Sequence, residues 1–200
     1  MATLELLSSK PICSQPDVCM KTITTKRLIL RELRKEDEKA VHEFSSDSEV
    51  TRYMNWGPNT EQDTRSFIRR AIADQNSQPR MDYRLAVVLK LENKLIGVCG
   101  VHFSNPNNRE GFLGYIFAPS YWGMGYATET AAALIRFGFR KLKLHRIFAT
   151  CDPRNVASIR VLEKVGLVKE GYLHQNYFVR GEWRDSLVLA ILESDGQMDE

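Results

Sequence analysis

The chain has 200 residues, 43% of them hydrophobic and 26% charged, with a formal net charge of +3. That balance describes an ordinary soluble globular protein of one domain with an appended tail. Charges of both signs are mixed along the chain, which gives no argument for direct nucleic-acid or membrane binding, and no apolar stretch approaches the ~18 residues that span a bilayer.

Residues 1–22 read as a flexible tail, because Ser8, Ser9, Pro11, Ser14 and Pro16 interrupt any periodicity. No basic segment followed by a long apolar core opens the chain, and Arg is absent before Arg27, so neither a secretory signal nor a transit peptide is expected. Cys13, Cys19, Cys99 and Cys151 form no CxxC pair and have no metal-like spacing. Cys99 and Cys151 lie in apolar runs and read as small buried residues. A reduced cytoplasmic compartment and no metal are the expectations.

The domain is expected over residues 23–193, with residues 194–200 as a C-terminal tail. Leu28 to Leu33 reads as a strand and Arg34 to Phe44 as a helix, with Asp47 to Met54 as a second short helix. Asn55 to Asn59 is a loop. Thr60 or Asn59 caps the next helix, whose apolar face is Phe67, Ile68, Ala71 and Ile72. A hairpin follows, with Leu85 to Leu89 and Leu95 to Phe103 around Glu92-Asn93-Lys94. Phe112 to Ala118 is a further strand. Ala127, Ala131, Leu134, Ile135 and Gly138 then keep helical spacing. His145 to Cys151 reads as a strand, and Val156, Ile159, Leu162 and Val165 as a helix face ending at Gly166. Tyr172 to Val179 and Trp183 to Leu192 close the chain as a hairpin. This alternation of hairpins with two strand–helix units predicts a mixed α/β domain, one sheet covered by helices.

The run Tyr121-Trp122-Gly123-Met124-Gly125-Tyr126-Ala127-Thr128-Glu129 joins a strand to a helix start. Glycines let backbone approach a ligand closely, and the first N–H groups of a helix lack internal partners, so the run suits a phosphate. A Rossmann pattern fails because Thr128 stands where the third glycine belongs, and a P-loop fails because no Gly-Lys-Ser/Thr follows. Downstream, Asn155 opens a helix as a natural cap, with Ser158 in its first turn and Leu162-Glu163-Lys164-Val165-Gly166-Leu167 behind it.

Together, these two constellations resemble the GCN5-related N-acetyltransferase (GNAT) superfamily, and within it the RimJ/RimL-like ribosomal-protein acetyltransferase branch. Thr25 to Arg31 resembles that branch's opening strand, Trp56-Gly57-Pro58 its substrate-side loop, and Gly181 to Asp185 its closing hairpin. The resemblance implies a central, mostly antiparallel sheet of about seven strands, splayed where the cosubstrate acetyl-CoA enters. It implies pantetheine pairing with the backbone of Ile116, Phe117 and Ala118. It implies a pyrophosphate cradle from Trp122 through Gly123, Met124, Gly125, Tyr126 and Ala127 to Thr128, and contacts to the pantetheine arm or thiol from Asn155 and Ser158. Ser120 stands where the superfamily usually has Gln or Arg, which removes one side-chain phosphate contact.

Transfer to an amine needs a proton removed from the ammonium and a donor near the departing thiolate. A backbone N–H suffices for the carbonyl oxygen. Many members carry a Tyr at the position of Leu162, and here Ser158 is the thiol-side candidate. The usual carboxylate position holds Phe112. Glu110, two residues upstream on the same strand face, is the candidate base. His102 near the preceding strand's end and a water chain are the alternatives to it. Trp56, Tyr53 and Tyr177 are candidate acceptor-site residues, with core packing an equal account of each.

The expected acceptor is a primary amine, either a protein N-terminus or a small molecule, and the expected assembly is a monomer or a homodimer. A CoA-binding sensor without catalysis, and a transferase using another acyl-CoA, are the competing readings.

Overall fold

The computed structural model describes residues 22–195. Most of the expected N-terminal tail, with Cys13 and Cys19, lies outside the described residues, as do residues 196–200. Eight strands of the described chain form one sheet: β1 (Ile23–Thr24), β2 (Leu28–Glu32), β3 (Asp82–Leu89), β4 (Lys94–Asn105), β5 (Glu110–Phe117), β6 (Arg146–Cys151), β7 (Val168–Val179) and β8 (Glu182–Leu192). Their order is β1-β2-β3-β4-β5-β6-β8-β7. The extra strand over the expected seven is the two-residue β1, which is too short to carry a pattern. Every neighbouring pair is antiparallel except β5 with β6. A parallel pair needs a crossover, and here it is the helix α3 (Tyr126–Arg140).

Alternation along the strands sorts side chains onto two cores. On β3, Tyr83, Leu85 and Val87 join the core beneath α3 and α4 (Val156–Lys164), while Ala86 and Val88 join the core beneath α1 (Glu38–Ser45) and α2 (Glu61–Gln75). The first core takes Leu134, Ile135 and Phe137 from α3, and the second takes Val41, Phe44, Ile68 and Ala71 from α1 and α2. Gly138 lets α3 approach β6 closely. A Cβ there would sit 2.7 Å from Ile147 Cδ1.

Local signals place the helix starts. The Thr60 side chain accepts from Asp63 N–H, and the Asp63 carboxylate accepts from Thr60 N–H, a reciprocal cap. Asn155 Oδ1 accepts from Ser158 N–H at 3.1 Å. The segment Asp47–Met54, expected as a helix, forms turns instead. Arginines from the β7–β8 hairpin take its carbonyls. Arg180 Nη2 donates to Thr51, Arg52 and Met54, and Arg184 Nη1 donates to Arg52 at 2.7 Å. A short 3₁₀ turn, Lys35–Asp37, also precedes α1 inside the single helix expected from Arg34.

The sheet opens in its middle. Parallel pairing between β5 and β6 ends at Phe112 opposite Phe148, although β5 runs on to Phe117 and β6 to Cys151. The two strands therefore diverge, and β5 has an unpaired edge over its last residues.

Candidate active site

Strand β5 decides which backbone groups face this opening. Ala118 N–H donates to Ile96 O at 2.9 Å, toward β4. In an antiparallel pair the direction of backbone groups alternates, so Ile116 also faces β4, while Tyr115 and Phe117 face the opening. Of the three strand residues expected to pair with pantetheine, Phe117 alone presents its backbone there. Its carbonyl already accepts from Trp122 Nε1 at 2.8 Å. Tyr115 presents its own N–H and C=O beside it.

The glycine loop leads from β5 into α3. Gly123 and Gly125 have φ of +73° and +78°, the left-handed region that glycine occupies without a Cβ penalty. Gly125 is the N-cap of α3 and contributes no side-chain cap. Glu129 N–H bonds Gly125 O, so the N–H groups of Tyr126, Ala127 and Thr128 have no helical partner. Trp122 and Met124 flank this end as exposed side chains.

Arg27, in the β1–β2 turn, braces the loop. Its Nη1 donates to Met124 O at 2.9 Å, its Nε to Glu129 Oε2 at 2.6 Å, and its guanidinium lies 4.3 Å from the Tyr126 ring centroid. Glu129 Oε1 also accepts from Thr25 Oγ1 and Arg27 N–H. Burial works against the Glu129 charge, but these bonds and the Arg27 charge outweigh it and hold the carboxyl below its ordinary range.

Across the opening, the first turn of α4 supplies Ser158. Its Oγ lies 3.0 Å from the Tyr115 hydroxyl, which is 3.3 Å from Ser158 O. Burial pushes the Tyr115 phenol up to about 12, with the Ser158 bond pulling the other way, so the phenol stays a neutral donor. Asp152, before α4, is buried yet held low in pKa. Arg154 donates to it from backbone N–H, Nε and Nη2, which overcomes the burial cost. Cys99 is buried and its thiol is pushed up. Cys151 is half-buried and is pushed up to about 11, again by burial first.

Ser158, Asn155 and Tyr115 line a cavity of about 800 Å³ that passes through the opening to the α1–α2 face. There its walls include Tyr53, Trp56, Phe67, Phe112, Asp82 and His102. Tyr53 and Trp56 thus reach the cavity, and Tyr177 on β7 does not line it. Glu110 does not line it either. That carboxylate accepts from Arg146 Nη1 at 2.6 Å and from Ser104 Oγ at 2.9 Å, at the end of β5 where the strands are still paired. Among the described residues, no group of three or more His, Cys, Asp or Glu is placed to hold a metal ion. No helix there is long and apolar enough to cross a membrane.

Sequence reasoning did not single out Tyr115, Arg27 or Arg180. Tyr115 sits in an apolar strand and Arg27 in a turn, and nothing local marks their partners 43 and 102 positions away. The period-two face of β5 was the usable signal for Tyr115.

Residues 27–168 match the family model described as "Acetyltransferase (GNAT) domain". The chain is 38% identical over 173 residues to the uncharacterized N-acetyltransferase YnaD of Bacillus subtilis, covering 86% of this chain and 98% of that protein. It is 26% identical over 165 residues to the spermidine N(1)-acetyltransferase of Escherichia coli K12, covering 82% and 85% respectively. Among solved structures, a GNAT-family acetyltransferase from Bacillus anthracis is 38% identical and superposes with a TM-score of 0.77 over 87% of this chain and 99% of that one. With an opened sheet, a glycine loop at a helix start and these relatives, the chain belongs to the GNAT acetyltransferase family and is an acetyl-CoA-dependent acyltransferase.

Proposed function

We propose that the protein transfers acetyl from acetyl-CoA to a primary amine by direct attack within a ternary complex. The observation that carries this reading is the divergence of β5 from β6, which joins the glycine loop to Ser158 along one unpaired strand edge. Pyrophosphate lies against Trp122–Thr128, where free N–H groups and the helix dipole favour an anion. The pantetheine arm runs along β5 past Tyr115 and Phe117. The thioester then lies near Asn155 and Ser158.

Ser158 donates a hydrogen bond to the departing thiolate, with the Tyr115 hydroxyl supporting it. A serine hydroxyl is too weak an acid for full proton transfer, so stabilisation of sulfur charge is the role that its chemistry allows. The acceptor enters from the α1–α2 side past Tyr53 and Trp56. It is a small-molecule amine or a protein N-terminus. The RimJ/RimL-like branch is supported by the Thr25–Arg31 and Gly181–Asp185 motifs. A cytoplasmic location agrees with the free thiols of Cys99 and Cys151, and the proposed assembly is a monomer or a homodimer.

A second reading, a CoA-binding sensor, is favoured by Phe112 and the buried Leu162 at positions where related enzymes carry ionisable side chains. Thiol release measured with peptides, polyamines and simple alkylamines, beside calorimetric titration of CoA, separates the two. Tight CoA binding without transfer to any amine supports the sensor, and amine-dependent thiol release supports the enzyme.

A further inference from the structure

An alkylammonium has no lone pair with which to attack a thioester, so the acceptor side of the cavity needs a group that takes a proton. Ser158 and Tyr115 stand on the other side of the sheet opening. Glu110 is engaged by Arg146.

The strand register brings three residues into one row on the α1–α2 face. Asp82 is opposite His102, and His102 is opposite Phe112. All three line the cavity. The His102 and Phe112 rings lie 5.0 Å apart between centroids, which fixes the imidazole against the cavity wall. The adjacent row is Arg84, Gly100 and Gly114. Neither glycine carries a side chain, although a Cβ at Gly100 would meet Tyr83 O at 2.7 Å. A Cβ added at Gly114 would meet nothing nearer than the Phe112 ring at 3.5 Å. Rows two residues apart are separated by about 7 Å, so an amine above Gly114 is within reach of the imidazole directly or through one water.

We propose that His102 accepts the proton of the acceptor's ammonium, with Asp82 as the positioning residue that stabilises the resulting imidazolium. This rests on the acetyltransferase reading above. The N–H bond of the ammonium breaks, its proton moves to an imidazole nitrogen, and the freed lone pair attacks the thioester carbon. The C–S bond then breaks. The second proton lost as the amide forms leaves with the thiol, and His102 returns its own proton to solvent.

The surroundings suit this role. Burial keeps the imidazole below its ordinary value of 6.5, with Asp82 pulling it up and Arg84 pushing it down, so the neutral, accepting form prevails at neutral pH. Burial also raises the Asp82 carboxyl against the pull of Arg84, His102 and Arg80, with Asp74 adding to the rise. Its charge is incompletely compensated and gains from a new cation beside it. Arg84 is shared between Asp74 and Asp82 by bonds of 2.7 and 2.6 Å, Arg80 binds Glu32, and Arg70 and Asp63 of α2 line the same cavity. Two neighbouring titratable groups on one cavity wall, each shifted by burial toward its neutral form, fit a proton-transfer role.

The test is the pH profile of kcat/KM for an alkylamine acceptor, with CoA affinity measured on each variant. H102Q is expected to lose about 10²-fold in kcat/KM and to lose the acid limb, at unchanged CoA affinity. D82N removes a charge that favours imidazolium, so its acid limb moves to lower pH with a smaller loss of rate. A working wild-type enzyme whose H102Q variant keeps both rate and acid limb overturns the inference alone. If H102Q does not fold, an acid limb unmoved in D82N overturns it. Absence of transfer by the wild type to any amine overturns the acetyltransferase reading and this inference together.

Discussion

The Tyr115 hydroxyl stands 3.0 Å from Ser158 Oγ, joining the open edge of β5 to the first turn of α4. Each residue alone has an ordinary explanation, a strand aromatic and a helix-start serine. Together they put two hydroxyls where the sheet divides, beside the edge that the pantetheine arm would follow.

Ser158→Ala is expected to lower kcat about tenfold or more while CoA affinity changes little, because a hydrogen bond to a charged sulfur contributes about 1.5–3 kcal/mol and the thiolate forms only during reaction. Tyr115→Phe should lower kcat less, since the serine hydroxyl survives without its support. Steady-state rates beside calorimetric CoA titration provide the check. Wild-type turnover in Ser158→Ala removes that residue from the mechanism.

Gly125→Glu should abolish acetyl-CoA binding by placing bulk and negative charge beside the pyrophosphate. Gly125→Ala is the gentler probe. The nearest atom to a Cβ there, Arg27 Nη2, is 3.5 Å away, so no clash arises, but the φ of +78° is strained for an L side chain. A stability loss of about 1 kcal/mol is expected in denaturant melts. Unchanged CoA affinity in Gly125→Glu would remove the loop from the binding site.

Glu129 couples loop geometry to pH. Its folded pKa lies below the ordinary 4.5, so its stabilising effect is fully present above that value and disappears as pH falls through the folded pKa. Glu129→Gln should therefore melt lower than wild type near neutrality, and the gap should close as pH falls below about 4.5 and through the lowered folded pKa. The same variant should bind CoA more weakly, since Arg27 then loses the partner that holds it against Met124 O. A melting gap independent of pH would show that the carboxylate charge is not what fixes the turn.

Arg180 donates to the carbonyls of Thr51, Arg52, Met54 and Gly57, fixing the segment that carries Tyr53 and Trp56 to the cavity. Arg180→Ala should raise KM for the amine several-fold and leave CoA affinity unchanged. Arg180→Lys should recover little, because one ammonium cannot reproduce a planar fork that spans several carbonyls. Acceptor kinetics identical to wild type in Arg180→Ala would separate this loop from acceptor binding.

Much of the fold was legible in the chain. Thr60 with Asp63, Asn155 with Ser158, and Gly166 after α4 mark helix boundaries with local chemistry, and the α3 periodicity runs from Tyr126 as expected. Strand ends were less legible. Asp82 to Arg84 lay outside the strand expected from Leu85, yet pairing with Gly100, Val101 and His102 makes them strand. The segment at Asp47–Met54 had helical composition and lost its helix to two arginines more than 120 positions away, which satisfy its carbonyls from outside. Tyr177 shares its aromatic character with Tyr53 and Trp56, but its strand lies on the outer edge of the sheet beyond β8.

The sequence by itself determined the layered α/β class, the helix caps and the glycine loop, because these depend on residues within a few positions of one another. Tertiary structure decided which loop and strand groups meet across the opening. Tyr115 faces Ser158, His102 lies between Asp82 and Phe112, and Glu110 is paired with Arg146 away from the cavity. Strand register and the divergence of β5 from β6 set those meetings. Both arise from packing two cores against one sheet, and no short stretch of the chain encodes that packing.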